Sequence, residues 1–229
     1  MKSIAIIPAR GGSKRIPRKN IKDFLGKPII AYSIEAALKS ELFSEVMVST
    51  DDLEIAEISK QYGAKVPFIR SKEASDDHAT TADALIEVFN AYSKQNMIFD
   101  YACCIYPTAP FVTEAKLQRV FNELVDNDFD SVFPIIKFAY PIWRSLKKEN
   151  GKLALNWPEH LNSRSQDLPM AYHDAGQFYF FRVNIFLNEK KFLVENSGGI
   201  EIDELEGQDI DNETDWRLAE LKYQLMRNE

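Results

Sequence analysis

The sequence predicts an α/β fold in which a mainly parallel β-sheet is covered by helices on both faces. Short apolar runs typical of strands alternate along the chain with amphipathic helical patterns, as in strands joined by helical crossovers. Several runs, among them 100–106 and 131–138, are apolar without alternation, as expected for strands buried on both sides. No linker, repeat or low-complexity tract interrupts residues 1–229, which we interpret as a single domain of three layers.

Local signals place each element in turn. The strand predicted at 4–8 runs into a glycine-containing loop, and Pro28 suits the first turn of the helix that follows. Asp51-Asp52 and Thr113 supply helix N-caps, and Gly63 suits a helix end. The predicted strands are 4–8, 45–50, 65–70, 100–106, 131–138, 177–183 and 207–210, and the predicted helices are 28–40, 51–62, 80–94, 113–127 and 212–226.

The alternation stops at 139–173, which we interpret as an excursion from the sheet. Three prolines and two tryptophans lie in this stretch. Asn150-Gly151 at its centre predicts a type I′ hairpin over 145–155. Because exposed aromatic side chains favour an interface, the excursion is expected to contact a partner.

The composition limits the functional classes. With 28 basic and 35 acidic residues the chain carries a net charge of −7, which argues against nucleic acid and anionic membranes as partners. No apolar run approaches the roughly 18 residues of a membrane span, and Pro8 breaks the first apolar stretch. We therefore expect a cytoplasmic protein. Cys103 and Cys104 are adjacent, lie in a predicted buried strand and are expected to pack there as free thiols.

The charge is distributed unevenly. Six basic residues and no acidic one lie between Arg10 and Lys22, whereas nine acidic residues and no basic one lie between Glu195 and Asp215. A small basic patch on an acidic protein suits a small, highly charged ligand, and an acidic patch suits a divalent cation. A nucleoside triphosphate with Mg²⁺ combines the two.

The basic segment 10–20 follows the first predicted strand. In a parallel sheet such a loop borders the ligand crevice, and its glycines allow backbone N–H groups to approach phosphate oxygens. The segment has neither the Walker A pattern nor Gly-x-Gly-x-x-Gly, and a solvated basic loop is the alternative interpretation. Gly11 and Gly12 are the candidates for this backbone contact, and the basic side chains of the segment would neutralise the remaining phosphate charge.

The acidic segment contains Asp209-Ile210-Asp211. In an extended strand the two carboxylates share a face while Ile210 turns to the core, and two oxygens suit Mg²⁺ that also takes phosphate oxygens and water. An acidic surface turn and an EF-hand are the alternatives, although the sixth loop position of an EF-hand would be Thr214 instead of glycine. Asp215 is expected to cap the last helix.

Several motifs resemble one enzyme family. They are Ile-Ile-Pro-Ala-Arg-Gly-Gly-Ser-Lys-Arg-Ile-Pro-Arg-Lys-Asn at 6–20, Val-Ser-Thr-Asp at 48–51, Ser-Asp-Asp-His-Ala-Thr-Thr at 75–81, Tyr-Pro-Thr-Ala-Pro at 106–110 and Gln-Asp-Ile-Asp at 208–211. Together they span almost the whole chain and resemble the CMP-sialic acid synthetase family. Cys-Cys-Ile-Tyr-Pro-Thr-Ala-Pro at 103–110 and Tyr-His-Asp-Ala-Gly-Gln-Phe-Tyr at 172–179 are most similar to its branch acting on pseudaminic acid.

This resemblance implies a Rossmann-like nucleotidyltransferase sheet of the GT-A type. It implies that CTP and a nonulosonic acid give a CMP-sugar and pyrophosphate with Mg²⁺, and that the excursion 139–173 forms a homodimer in which each subunit approaches its partner's site. Arg10, Lys14, Lys19 and Asp211 would be catalytic and Asp209 and Asp211 would hold the metal. The resemblance also implies that Arg10, Ser13, Lys14, Lys19 and Asn20 hold the triphosphate, with Gly11 and Gly12 in the same loop. The remaining implied contacts are Arg70 and Thr80 to cytosine and Tyr106, Thr108, Arg164 and Gln177 to the sugar.

Alternatives remain open for several of these residues and for the function. Thr80 is also a good helix N-cap, and Arg164 also fits a surface salt bridge. Tyr106 stands where sialic acid enzymes usually have glutamine, which fits a less hydroxylated sugar. The competing functions are activation of sialic or legionaminic acid, a nucleotide-sugar-dependent glycosyltransferase, and a non-catalytic nucleotide-binding regulator.

Overall fold

A computed structural model describes residues 1–76 and 78–227. Asp77, part of the motif at 75–81, lies outside the described residues. The strands are β1 Ser3–Pro8, β2 Asp23–Phe24, β3 Lys27–Pro28, β4 Glu45–Ser49, β5 Tyr101–Ile105, β6 Ser131–Lys137, β7 Leu146–Glu149, β8 Lys152–Leu155, β9 Tyr172–Asp174, β10 Phe178–Arg182 and β11 Ser197–Glu201. The α-helices are α1 Ile29–Lys39, α2 Leu53–Gln61, α3 Thr81–Ser93, α4 Glu114–Asp126, α5 Val183–Glu189 and α6 Glu213–Arg227.

A seven-stranded sheet forms the centre of the molecule. Its strand order is β11-β6-β10-β5-β1-β4, and β9 pairs with the last three residues of β6. β1, β4, β5, β6 and β11 run in one direction, whereas β10 and β9 run against their neighbours. The predicted mainly parallel α/β sheet is therefore confirmed, with β10 inserted antiparallel between β5 and β6.

Helices cover both faces of this sheet. Alternate residues of the central strands, such as Ala5 and Ile7, pack against α1, α2 and α4 on one face. The intervening residues, such as Ile4 and Ile6, pack against α3 and α5 on the other face. Both faces are apolar, so the strands are buried on both sides, as the continuous apolar runs predicted.

A third apolar cluster lies beyond the end of the sheet. Its fully buried members include Ile16 from the basic segment, Phe111 from the loop after β5, Ile210 from the acidic segment and Trp216 from α6. These residues are far apart in the chain, and the cluster therefore joins three loops and the last helix.

Two predicted strands are absent, and five short elements, among them the two-residue strands β2 and β3, were not predicted. Segment 65–70 makes only an isolated bridge from Lys65 to Met47, and segment 207–210 forms no strand. The short elements β9, α5 and β11 were not predicted, because each depends on pairing or packing with distant residues. Segment 65–70 still follows β4, since the Arg70 amide donates to the Thr50 carbonyl at 2.8 Å.

The excursion 139–173 carries the hairpin β7–β8. Asn150 and Gly151 both have positive φ, as a type I′ turn requires. Within 139–173 no residue is buried. Across residues 1–76 and 78–227, no helix combines the length and apolar character needed to cross a bilayer.

Candidate active site

A cleft of about 500 Å³ opens at the carboxyl ends of the parallel neighbours β1 and β5. The chain passes from β1 to β4 on one side and from β5 to β6 on the other, and such a reversal of strand order is where open α/β sheets bind ligands. The cleft is lined by Pro8, Arg10, Ser13, Lys14, Arg15, Ile16, Lys19, Asn20, Thr81, Tyr106, Pro107, Thr108, Asp209 and Asp211.

The oppositely charged segments meet across this cleft. The Lys19 ammonium donates to the Ile210 carbonyl at 2.7 Å, and Lys14 and Asp211 line the same cavity. A second link joins Lys22 to Glu213 at 2.7 Å. Burial lowers the pKa of Lys19, and the carboxylates of Asp211 and Asp209 oppose that shift. The ammonium group of Lys19 thus lies between the Asp209–Asp211 pair and the glycine loop.

The glycine loop is shaped by the residues that follow β4. The Gly11 amide donates to Asp51 Oδ1 at 2.9 Å, and a Cβ on Gly11 would lie 2.8 Å from Asp52 Oδ2. Arg18 donates to both oxygens of Asp52, at 2.5 and 3.0 Å, and also pairs with Glu54. Arg18 therefore holds the loop against α2 and is absent from the cleft lining.

Arg10 is positioned by its neighbours. The buried Asn20 donates from Nδ2 to the Arg10 carbonyl at 2.9 Å, and the Arg10 guanidinium donates to the Asp76 carbonyl at 3.3 Å. Asn20 lines the cleft, but its amide nitrogen is engaged by the backbone.

The acidic segment presents Asp209 and Asp211 to the cleft with Ile210 buried between them. This alternation is the predicted one, although it arises without a strand. Asp215 Oδ2 accepts from the amides of Asp211 and Asn212 at 2.9 and 3.0 Å. Asp215 therefore caps α6 as predicted. Because α6 begins at Glu213, the segment has no EF-hand loop.

Two carboxylates are available for a cation. Among residues 1–76 and 78–227, no cluster of three or more His, Cys, Asp or Glu side chains is arranged to hold a metal. Loss of hydration raises the pKa of Asp209, the Asp211 carboxylate raises it further, and Lys19 opposes the shift. The donor set fits Mg²⁺ whose other ligands are phosphate oxygens and water. Arg15 lies 2.7 Å from Asp211 Oδ1 and balances part of this charge.

A smaller cavity of about 290 Å³ adjoins the cleft and shares Arg10, Thr81 and Tyr106 with it. Arg70 and Thr80 line this cavity. Arg70 is buried, and its Nε donates to Ser49 Oγ at 2.9 Å. Burial lowers the pKa of Arg70.

Thr80 has the helix-capping role that was the alternative for it. It forms a capping box with Asp83 at the start of α3, and its hydroxyl donates to Asp83 Oδ2 at 2.7 Å. Thr80 therefore reaches the cavity with its hydroxyl already bonded.

Tyr106 and Thr108 line the main cleft. Burial raises the pKa of the Tyr106 hydroxyl, and the neighbouring Thr81 and Tyr179 side chains oppose that shift. The Tyr106 ring packs edge-on against Tyr179 with ring centroids 5.5 Å apart, and Tyr179 donates to Asp174 Oδ2 at 2.7 Å. This packing holds the Tyr106 ring at the cleft wall.

Two residues of the implied sugar set do not line the cleft. Arg164 is exposed on the excursion and forms an ion pair with Asp167 at 2.7 Å. Gln177 is 1% exposed and donates from Nε2 to the Glu206 carbonyl at 2.5 Å, while its Oε1 has no hydrogen-bond partner. Gln177 therefore supports the segment before Asp209 from beneath.

Sequence reasoning did not select two polar residues of the cleft, Arg15 and Thr81. They lie within the motifs at 6–20 and 75–81, but neither was assigned a contact. Both stand beside selected residues, but side-chain direction within a loop is set by tertiary contacts that no sequence pattern reports.

Comparison with known proteins assigns the family. Residues 4–224 match the family described as Cytidylyltransferase. The chain belongs to the cytidylyltransferase family. The resemblance inferred from the motifs is thereby confirmed.

Relatives cover nearly the whole chain. A pseudaminic acid cytidylyltransferase of Campylobacter jejuni is 44% identical over 98% of this chain and 97% of its own. A CMP-N,N'-diacetyllegionaminic acid synthase of Legionella pneumophila is 31% identical over 98% and 97% of the two chains. A post-translational flagellin modification protein B of Campylobacter coli is 29% identical over 95% and 93%.

Solved structures share the fold. CMP:2-keto-3-deoxy-manno-octonic acid synthetase, solved with CTP, superposes with a TM-score of 0.71 at 19% identity and covers 100% of both chains. A 4-diphosphocytidyl-2C-methyl-D-erythritol synthase of Anaerococcus prevotii gives 0.67 at 14% identity and covers 97% of this chain and 98% of its own. At these identities the match concerns the fold, a Rossmann-like nucleotidyltransferase sheet.

Proposed function

We propose that this cytidylyltransferase family member transfers CMP from CTP to pseudaminic acid and releases pyrophosphate. The meeting of the two charged segments, through the 2.7 Å contact of Lys19 with the Ile210 carbonyl, carries the proposal. The 44% identity to a pseudaminic acid cytidylyltransferase over nearly the full chain supports the choice of sugar.

The reaction is an in-line attack of the anomeric hydroxyl of the sugar on the α-phosphorus of CTP. Arg10, Lys14 and Lys19 neutralise the triphosphate and the charge that develops on the leaving pyrophosphate, so catalysis consists of positioning and electrostatic stabilisation. The bond from the α-phosphorus to the bridging oxygen breaks as the new phosphoester forms. The proton of the attacking hydroxyl leaves to solvent water, and no side chain is assigned as general base.

Asp209 and Asp211 would hold Mg²⁺. The ion supplies Lewis acidity at the α-phosphate and lowers the pKa of the attacking hydroxyl when it is bound. Lys19, between the carboxylates and the loop, keeps the acidic pair compatible with an anionic nucleotide before the ion arrives.

The smaller cavity takes the base. The Arg70 guanidinium, oriented by Ser49, is a donor for the O2 and N3 acceptors of cytosine, and the Thr80 hydroxyl lies at the same wall. A cavity of about 290 Å³ has room for a single nucleobase.

The sugar lies beside Tyr106 and Thr108, on the acidic side of the triphosphate. Tyr106 presents to the cleft a largely buried aromatic ring that packs edge-on against Tyr179. Such a wall suits a deoxy, diamino sugar that offers fewer hydroxyl groups than sialic acid.

The functional unit is a homodimer formed through the excursion 139–173. This segment has no buried residue, and an isolated two-stranded hairpin such as β7–β8 is marginally stable in water. Tyr140 is 85% exposed and Leu161 is 65% exposed, so the segment offers apolar surface to a second copy. Arg164 on that segment would bind the sugar carboxylate in the partner's cleft. The enzyme works in the cytoplasm, where its two buried cysteines stay reduced.

The test is pyrophosphate release from CTP and Mg²⁺ with a panel of pseudaminic, legionaminic and N-acetylneuraminic acids. Pseudaminic acid is expected to react fastest, and D211N is expected to lower kcat by about 100-fold or more. Turnover on another acid alone would replace the sugar assignment. Sugar transfer without pyrophosphate, or CTP binding without turnover on any acid, would overturn the reaction.

A further inference from the structure

One nearly buried lysine lies outside the cleft and contacts both of the segments that form its walls. Lys116 on α4 has 13% of its side chain exposed and is absent from the cleft lining. Its ammonium donates to the Phe111 carbonyl at 3.1 Å and pairs with Glu206 Oε1 at 2.9 Å. The two partners belong to different loops.

Each partner sits at the base of one cleft wall. Phe111 ends the loop after β5 that carries Tyr106 and Thr108, and its ring belongs to the third apolar cluster. Glu206 precedes Asp209 and Asp211 in the acidic segment. One ammonium group therefore connects the wall beside the sugar site with the wall that carries the two carboxylates.

Glu206 is held rigidly enough to transmit this constraint. Its Oε2 accepts from the Asp203 amide at 3.0 Å, and its carbonyl accepts from Gln177 Nε2 at 2.5 Å. Glu206 thus has partners on its carboxylate and on its backbone, from α4 and from the start of β10. Lys222 adds further bonds to the carbonyls of Glu204 and Gly207, both at 2.9 Å.

An apolar side chain could fill the space that Lys116 occupies, so the need to fill this space does not explain a charged residue here. Burial lowers the pKa of this lysine, and Glu206 opposes the shift. Because removing a charged pair from water offsets much of its attraction, such a pair contributes more to defined geometry than to stability. The geometry defined here is the separation of the two loops.

We propose that Lys116 is a positioning residue that sets the spacing between Tyr106 and the Asp209–Asp211 pair through its contacts with Phe111 and Glu206. This role rests on the proposed function, since the spacing matters for aligning the sugar hydroxyl with the α-phosphorus. Because the direct side-chain contacts to the triphosphate come from the separate loop 10–20, CTP binding in the absence of Mg²⁺ should depend little on Lys116.

The experiment compares K116M, K116R and E206Q with the wild-type protein. We expect K116M to lower kcat by about 10- to 100-fold, as a displacement of about 1 Å would, while the Kd for CTP measured without Mg²⁺ stays within about 2-fold. K116R should recover part of kcat because it keeps the charge. K116M/E206Q should be no worse than K116M, because each change breaks the same link.

K27M is the matched control. Lys27 forms a comparable half-buried pair with Glu35 at 2.8 Å, with side chains 27% and 31% exposed, away from the cleft. Its loss should lower Tm without changing kcat. A K116M enzyme with unchanged kcat, or with a kcat loss that K27M reproduces at equal loss of Tm, would overturn the role of Lys116.

Hydrogen exchange supplies a readout that does not require activity. Amides of 203–211 should exchange faster in K116M, or in E206Q if K116M does not fold, while amides of 10–20 keep their rates. Unchanged exchange at 203–211 would reject the positioning role even if the wild-type protein were inactive on every sugar. Wild-type inactivity with faster exchange in the variants would instead reject the proposed function alone.

Discussion

Replacing Gly11 by alanine tests whether the phosphate loop owes its shape to α2. A Cβ at this position would lie 2.8 Å from Asp52 Oδ2 and 3.0 Å from Asp52 Cβ. Asp52 cannot easily yield, because it accepts from the Ile55 amide at 3.0 Å as the N-cap of α2 and binds Arg18 through both oxygens. The added methyl group therefore displaces either the cap or the loop.

The expected cost follows from these contacts. Loss of an N-cap costs about 1 kcal/mol, and overpacking costs about 1–3 kcal/mol. For a domain of this size each kcal/mol lowers Tm by about 2–4 °C, so a cost of about 1–3 kcal/mol should make G11A melt about 2–12 °C below the wild type. The shifted loop should also weaken CTP binding.

Gly12 provides the matched control. No atom lies within 4 Å of a Cβ at Gly12, so G12A should keep the wild-type Tm. Thermal unfolding of the nucleotide-free proteins measures the difference directly. Equal melting of G11A and the wild type would refute the argument that Asp52 confines the loop, and so would equal losses in G11A and G12A.

Three further predictions concern pH, packing and the dimer. Because the pKa of Lys19 is lowered, this lysine should lose its proton at a pH below 10.5, and CTP affinity should decline there. K19R should move the decline to higher pH, and a titration of Kd against pH measures the difference. I210A should lower the free energy of unfolding by about 2–5 kcal/mol, because it opens a cavity in the third apolar cluster. The Tm should fall by roughly 5–15 °C, and an unchanged Tm would contradict the packing described for Ile210. If Arg164 acts in the partner's cleft, an equal mixture of inactive R164A and D211N subunits should recover about a quarter of wild-type activity after exchange, and no recovery would place Arg164 outside that role.

Much of the local structure could be predicted because its signals are local. Asp52, Thr80 and Thr113 each cap a helix as expected, since an N-cap is decided by a side chain and an amide three residues apart. The insertion of β10 between β5 and β6 was not predictable, because strand order depends on pairing between distant segments.

The candidate site divides in the same way. The charge of the two segments predicted that they would meet, and Lys19 does contact the acidic segment. The different contacts of Gln177 and Arg18, and the link made by Lys116, could not be predicted, because each depends on the direction of one side chain in a folded loop. Residue type alone did not distinguish a side chain that faces the cleft from one that holds a neighbouring loop in place.

The third apolar cluster has a consequence for the order of biosynthesis. The sheet and its two helical layers are complete before α6, but Trp216 and Ala219, which bury Ile16 and Ile210, belong to that last helix. A nascent chain halted before residue 213 would therefore possess a folded scaffold with an unassembled nucleotide site. Competence to bind CTP should emerge only as the final helix leaves the ribosome.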